Sequence, residues 1–332
     1  TLGSYVLSDR HHASLFYSLQ LLGDRLGWDI YTPVGREWWD EGIWRFGEGY
    51  GDERLVEQYL STADAAWSKW RGDTVGTYWQ TRDRDYPERT ILGMTLERAR
   101  RTSWRYVVAT VPDNARGFAR FAREVGATFV YQVGNTRQEV EWALDPRVIA
   151  SSEVGLYHGV RYHQEMHPAY HWRPPETHRV ITSLVQYMPR MNCWPLLAGA
   201  IRDLPAYDWR IHGAGCPDGL VNPTTAVANT MAQAGFGWHD KETGDGFGHV
   251  LWGWAAIGRP IIGHARHYQG QLGEVLWTND TAIDLDTQYV VAILRAMTTE
   301  RHAQMCQAMR ETFQAHYDPD RDAQAIREYL AA

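Results

Sequence analysis

A glycine-rich stretch late in the chain has the residue types needed to bind a phosphorylated ligand. An apolar run ending at Ile211 leads into Gly213-Ala214-Gly215, and about thirty residues later Asp245-Gly246-Phe247-Gly248-His249 opens a helical pattern. Glycines let the backbone approach a ligand closely, and the free N–H groups at a helix N-terminus attract phosphate. The spacing predicts a crevice for a nucleotide-like diphosphate at the carboxyl ends of parallel strands.

Two basic residues in the same half of the chain could hold the phosphates. Arg190 follows the first predicted strand of this half, and Lys241 lies just before the glycine-rich loop. Lys241 is one of two lysines in a chain with 31 arginines. A compact ammonium suits phosphate, although chance placement on the surface explains Lys241 equally well.

Three residues near the N-terminus could activate a hydroxyl group. Asp9, His11 and His12 follow the first predicted strand. Histidine titrates near neutral pH and can remove the proton of an acceptor hydroxyl, while a carboxylate can orient it. We expect these residues to be catalytic, with helix capping by Asp9 as the alternative.

A tryptophan-rich segment of the first half has the composition of a binding loop. Trp38, Trp39, Trp44 and Arg45 lie among acidic residues and glycines. Aromatic rings beside arginine suit stacking on sugars or unpaired bases. We expect these four residues to bind the acceptor, and a second packed core is the alternative.

Metal-binding patterns are weak in this sequence. The segment His163-x-Glu165-x-His167 has helical spacing, but Pro168 ends any helix there and no third ligand is specified. Two Asp-x-Asp pairs, at 83–85 and 284–286, follow no convincing strand. The sequence therefore predicts no metal site.

The elements that must position these residues alternate between strands and helices. A length of 332 residues predicts two domains, and alternating strands and helices of 10–15 residues predict mainly parallel sheets. The predicted fold is α/β, with two Rossmann-like doubly wound domains facing a central cleft. We expect an N-terminal acceptor domain at 1–175, a C-terminal donor domain at 176–316, and a C-terminal helix at 317–332 that packs back toward the first domain.

Composition and charge narrow the class of protein. A hydrophobic content of 44% and a mean hydropathy of −0.46 fit a soluble globular protein rather than a disordered chain. Residues 82–123 contain ten arginines and five acidic residues. This local positive charge could steer an anionic partner, and a solvated helical face is the alternative. Three widely spaced cysteines, no apolar run of about 20 residues and no basic leader favour a cytoplasmic protein without a membrane span.

The second half resembles the donor-binding domain of GT-B glycosyltransferases, nearest to the group 1, retaining-type class. That class has a strand ending in G-x-G and then E-G/P-F-G-L-x-x-x-E-A-x-A-x-G-x-P-V-I, which corresponds here to the text from Asp245 to Ile262. Residues 158–168 are similar to the end of that family's first domain. Two departures are Gly253, at the position of the family's second glutamate, and Ser8-Asp9-Arg10-His11-His12, in place of a glycine-rich loop.

The resemblance implies a metal-independent enzyme that moves a hexose from a nucleoside diphosphate sugar to a hydroxyl acceptor. The expected donor is a UDP-sugar. The sugar nucleotide is a co-substrate, and no other cofactor is expected. It implies that Arg190 contacts the diphosphate and that Asp245 lies near the transferred sugar. The expected donor-binding residues are Arg190, Gly213, Gly215, Lys241, Asp245, Gly246, Phe247, Gly248 and His249.

Several functions stay open at the level of sequence. The acceptor could be a hydroxymethylated base in DNA, extruded from the stack, although the acidic chain argues against a duplex binder. A glycolipid, a protein or a small molecule could equally accept the sugar. A sugar-nucleotide 2-epimerase and a non-catalytic two-lobed receptor are the alternatives outside glycosyl transfer. The sequence does not indicate an oligomeric state.

Overall fold

The computed structural model describes residues 4–9, 13–35, 37–44, 78–82, 86, 88–134, 139–152, 159–241 and 246–332. The chain divides into two compact units, one formed by Thr1–Glu165 with Pro319–Ala332 and the other by Met166–Asp318. The predicted boundaries followed residues 175 and 316, whereas the observed ones follow Glu165 and Asp318. The C-terminal helix belongs to the first unit.

The first unit is built on an eight-stranded sheet with the order β3-β4-β2-β1-β5-β6-β7-β8. The β3–β4 pair is antiparallel, and the other pairs are parallel. The strands are β1 (Ser4–Ser8), β2 (Trp28–Pro33), β3 (Tyr78–Arg82), β4 (Thr90–Met94), β5 (Tyr106–Ala109), β6 (Thr128–Val133), β7 (Arg147–Ala150) and β8 (Val160–Arg161). The helices that accompany them are α1 (Ala13–Leu26), α2 (Glu37–Asp40), α3 (Leu96–Arg101) and α4 (Pro112–Val125).

Successive side chains of a strand point to opposite faces of the sheet, and both faces of this sheet are covered by a core. On β1, Leu7 belongs to the core under α4, and Val6 belongs to the core on the opposite face. Ile326 and Leu330 of the C-terminal helix join this second core. The backbone N–H of Val148 also donates to the hydroxyl of Tyr329 at 3.0 Å, so the last helix is an integral part of the first unit.

The second unit is built on a fully parallel sheet with the order β10-β9-β11-β12-β13. Its strands are β9 (Val180–Ser183), β10 (Asp208–Ile211), β11 (Phe236–His239), β12 (Ile261–Gly263) and β13 (Ala282–Asp284). The helices that follow are α5 (Trp194–Asp203), α6 (Thr224–Gln233), α7 (His249–Ile257), α8 (Val290–Arg295) and α9 (Thr299–His316), and the chain ends with α10 (Pro319–Ala331) in the first unit.

One expectation about this sheet was wrong. The Asp-x-Asp pair at 284–286 begins at the end of a strand, because Asp284 is the last residue of β13. The strand has three residues, which is too short for alternation to reveal it in the sequence. The pair at 83–85 lies outside the described residues, but it comes directly after β3 of the first sheet.

Helix α7 packs closely against β11 because residue 237 is glycine. A Cβ atom at Gly237 would lie 2.4 Å from the indole ring of Trp254. Trp254 and its neighbour Trp252 are fully buried in the middle of α7. This contact fixes α7 over the sheet and therefore sets where its N-terminus lies.

Arg259 joins the end of α7 to the start of β12 and is completely buried. Its guanidinium donates to the carbonyl oxygens of Ala232 and Ala234 at 2.7 Å each, of Arg173 at 2.8 Å and of Ile257 at 3.1 Å. The last carbonyls of a helix lack partners within the helix and carry partial negative charge. One cation therefore satisfies the C-terminal ends of both α6 and α7.

Within the described ranges, no helix combines the length and the apolar composition that crossing a bilayer requires.

Replacing Arg259 with methionine should lower the free energy of unfolding by about 3–5 kcal/mol, because several buried carbonyls would lose their donor. Urea denaturation followed by far-UV circular dichroism measures this change. Arg202→Met is the control, since Arg202 is exposed beside Asp203, and its transition should stay near that of the wild type. Equal effects of the two substitutions would show that Arg259 does not organise the helix ends.

Candidate functional site

The five parallel strands of the second unit bring the loops after their carboxyl ends to one edge of the sheet. The loop after β9 contains Arg190, and the loop after β10 contains Gly213 and Gly215. Lys241 and residues 246–249 follow β11. The structure thus gathers the predicted donor-binding residues that it describes, while Asp245 lies outside the described residues.

Gly213 and Gly215 join the loop after β10 to the loop after β9. The φ angle of Gly213 is +142°, and a Cβ there would lie 2.9 Å from the Cα of Gln186. A Cβ at Gly215 would lie 2.9 Å from the ring of Tyr187, whose N–H donates to the carbonyl of Ala214 at 2.7 Å. The glycines therefore allow close contact between two loops, and their predicted contact with a ligand stays a prediction.

Tyr187 and Arg190 form the exposed end of the β9 loop. Tyr187 has a φ angle of +56°, a left-handed conformation that is uncommon for a residue with a side chain. Its side chain is 48% exposed, and the guanidinium of Arg190 lies 5.8 Å from its ring centre. Among the described residues, no carboxylate lies within 4 Å of Arg190. Its charge can therefore meet an anion from solution.

The N-terminus of α7 is formed by the Gly246-Phe247-Gly248 loop. Gly248 has a φ angle of +70° and precedes His249, the first residue of the helix. The first N–H groups of a helix have no partner within it, so they can donate to an anion. Phe247 is fully buried and stacks on Trp252 with 5.5 Å between the ring centres, which makes it a packing anchor of this loop.

Gly253, which stands at the position of the resembling family's second glutamate, is closely packed. It faces the core of the second unit, where a Cβ would lie 3.1 Å from the side chain of Met231 and 3.2 Å from that of Tyr170. A larger side chain at this position would therefore require Met231 and Tyr170 to shift.

A cluster of titratable residues at the same edge was missed by sequence reasoning. His264 follows β12, and its Nδ1 hydrogen-bonds with Asp286 at 2.8 Å. Its Nε2 lies 3.4 Å from the carboxylate of Asp240, which follows β11. Arg266 forms an ion pair with Asp286. Seeing this cluster in the sequence would have required knowing that β11, β12 and β13 are neighbours in the sheet.

Burial shifts the pKa of Asp240 and that of His267, whose ring centre lies 5.1 Å from that of His264. Burial raises the pKa of Asp240 above its ordinary value, although His264 and His239 oppose the shift. Burial also lowers the pKa of His267, with His264 and Arg266 contributing. Both shifts favour the neutral form of the side chain.

The carboxylate of Asp284 stabilises the backbone at this edge of the sheet. Burial alone would raise the pKa of Asp284, but hydrogen bonds from the backbone N–H groups of Ala265 and Asp286 and from the Thr287 hydroxyl lower it. The carboxylate thus holds the loop after β12. In the part of the chain that the structure describes, no group of three or more His, Cys, Asp or Glu side chains is arranged to hold a metal ion.

The predicted catalytic residues of the first unit are only partly described. Asp9 is fully buried, and its carboxylate accepts hydrogen bonds from the Thr110 N–H at 3.0 Å, the Thr110 hydroxyl at 2.6 Å and the Asn114 side chain at 3.0 Å. These bonds tie the end of β1 to the start of α4. His11 and His12 lie outside the described residues, and the catalytic role of all three stays a prediction.

The predicted acceptor-binding tryptophans pack in the first unit. Trp38 is fully buried, donates its indole N–H to the Met94 carbonyl at 2.9 Å and lies edge-on to Phe121 at 5.1 Å between ring centres. Trp44 is also buried, while Trp39 is half-buried against the same core. Arg45 lies outside the described residues. Contact of this segment with an acceptor stays a prediction.

Of the comparisons with known proteins, the one with solved structures finds similar chains. No family model matches the chain, and no curated protein matches it. Among solved structures, HepE from Anabaena in complex with UDP is 12% identical with a TM-score of 0.62, and the match covers 98% of this chain and 99% of HepE. The corresponding values are 9%, 0.64, 100% and 99% for TarM, and 11%, 0.61, 99% and 98% for a glycosyltransferase from Rickettsia africae.

The chain has the GT-B fold. The predicted fold class and the resemblance to GT-B glycosyltransferases are therefore confirmed, and at these identities the likeness shows the fold alone. The second unit, Met166–Asp318, contains the residues for which the sequence predicts a donor site.

Gly213→Ala should lower the free energy of unfolding of this GT-B chain by about 3 kcal/mol, because φ is positive and the new Cβ would meet the backbone of the neighbouring loop. Gly219→Ala is the matched control. Gly219 has a φ angle of +71°, and a Cβ there meets nothing within 4 Å, so its cost should be about 1 kcal/mol. Thermal unfolding of both variants measures the difference, and similar midpoints would contradict the proposed contact between the loops.

Proposed function

We propose that this protein is a glycosyltransferase that moves a hexose from a UDP-sugar to a hydroxyl acceptor. One observation carries the proposal: an exposed arginine and a helix N-terminus follow the carboxyl ends of β9 and β11, which are neighbours in the second parallel sheet. HepE, which shares the fold, has been solved with UDP and with UDP-glucose. The negative charge of a diphosphate suits the exposed arginine and the helix N-terminus of this chain.

The donor half would stabilise the leaving group. When the bond between sugar and diphosphate breaks, negative charge develops on the phosphate oxygens, and fixed donors that face this charge lower the barrier. In this proposal Arg190, Lys241 and the N–H groups from His249 onward supply those donors. Because these groups already provide positive charge and hydrogen bonds, we propose that the reaction needs no divalent ion.

The acceptor half would supply a base. His11 or His12 would remove the proton of the acceptor hydroxyl. Asp9 would fix the chain that leads to them, since Thr110 and Asn114 hold its carboxylate. The acceptor itself is proposed only as a hydroxyl compound. The described residues and the solved structures add no support for the hydroxymethylated base in DNA, and a glycolipid, a protein and a small molecule are all compatible with the proposal.

Calorimetry and product analysis test the proposed function. The protein should bind UDP and UDP-glucose in the presence of EDTA, and it should release UDP from a radiolabelled UDP-sugar when an acceptor is supplied. Mass spectrometry should find the acceptor heavier by one hexose, and the anomeric configuration of the product tests the retaining-type resemblance. Absence of nucleotide binding, strict dependence on manganese, or conversion of the sugar without transfer would each contradict the proposal.

Arg190→Ala should weaken UDP binding by about 1.5–3 kcal/mol, the range of a charge-assisted hydrogen bond. Titration calorimetry with UDP measures the change. Arg202→Ala is the control, since Arg202 is an exposed arginine of the same unit that pairs with Asp203. Equal UDP affinity in wild type and Arg190→Ala would remove Arg190 from the site.

A further inference from the structure

The carboxylate of Asp240 is the most unusual polar group at the edge of the second sheet. The residue is 1% exposed, and neither carboxylate oxygen has a hydrogen-bond donor among the described residues. Nε2 of His264 lies 3.4 Å from one carboxylate oxygen, which is beyond good hydrogen-bond length. A carboxylate buried in this way destabilises a folded protein unless something else supplies donors.

The neighbouring Asp286 provides the contrast. Its carboxylate hydrogen-bonds with Nδ1 of His264 at 2.8 Å and forms an ion pair with Arg266. Because Asp286 holds one nitrogen of the imidazole, the other nitrogen is directed toward Asp240. Asp286 therefore holds both His264 and Arg266, while neither oxygen of Asp240 has a hydrogen-bond donor among the described residues.

A second unpartnered group lies on the adjacent strand. Ser183 ends β9, is fully buried and has no hydrogen-bond partner for its hydroxyl among the described residues. It pairs with Trp238 of β11, two residues before Asp240. Two residues of extended chain span about 6–7 Å. The ends of neighbouring strands thus present a carboxylate and a hydroxyl at the same edge.

We propose that Asp240 and Ser183 form a subsite that binds adjacent hydroxyl groups of the sugar nucleotide, either of its ribose or of its hexose. The inference rests on the proposed function and names the part of the donor that this edge recognises. A carboxylate accepts hydrogen bonds from two hydroxyls, whereas it repels a phosphate. The diphosphate is therefore left to Arg190 and the start of α7, and the hydroxyl pair to Asp240.

Thermal unfolding of two matched variants tests whether Asp240 serves a ligand or the fold. Asp240→Asn removes a charge without donors, so the midpoint of the free protein should rise by about 2–4 °C. Asp286→Asn removes a charge that has partners, so its midpoint should fall. A fall for Asp240→Asn as well would show that this carboxylate is a structural partner of His264, and it would overturn the subsite.

Titration calorimetry with deoxy analogues identifies the hydroxyl groups. If Asp240 binds the ribose, the wild type should prefer UDP over 2′-deoxy-UDP or 3′-deoxy-UDP by about tenfold, the effect of a hydrogen bond to a charged group. If it binds the hexose, the preference should instead appear between UDP-glucose and its hexose-deoxy analogues. In either case Asp240→Asn should lose most of the preference, and Ser183→Ala should reduce it.

The outcomes separate this inference from the function on which it rests. A wild-type protein that binds neither UDP nor UDP-glucose contradicts the proposed function and the subsite together. A wild-type protein that binds UDP-glucose, with every analogue discriminated equally by wild type and Asp240→Asn, overturns the subsite alone.

Discussion

The parallel order of the second sheet is the constraint on which the candidate site depends. Because all of its strand pairs are parallel, residues far apart in sequence meet at one edge, as Asp240 and His264 do across the β11–β12 pair. Two contacts keep that edge in place. Gly237 lets Trp254 lie directly on the sheet, and Arg259 holds the far ends of α6 and α7. The start of α7 is fixed as a consequence.

Two buried charges in this unit show how stability and function are divided. The guanidinium of Arg259 is enclosed by carbonyl oxygens that accept its hydrogen bonds, so its burial stabilises the fold. The carboxylate of Asp240 has no comparable set of donors among the described residues. A buried carboxylate without such donors suits a ligand site better than a packing role.

The sequence revealed the fold more fully than the site. Alternating strands and helices, and the text from Asp245 to Ile262, indicated a GT-B chain because these signals are long and periodic. The three-residue strand β13 was too short to recognise. The link between His264 and Asp286 depends on strand order, which local patterns do not contain. The composition of the segment around Trp38 suggested a surface loop. The ring lies in the core instead, where the Met94 carbonyl accepts its indole N–H.

Photoaffinity labelling with 5-azido-UDP in EDTA tests the central claim most directly, that a nucleotide binds at the carboxyl edge of the second sheet without a divalent ion. The account predicts labelled peptides from the loops that follow β9 to β12, protected by excess UDP-glucose. Labelling confined to residues 1–165, or labelling that appears only when manganese is added, would contradict it.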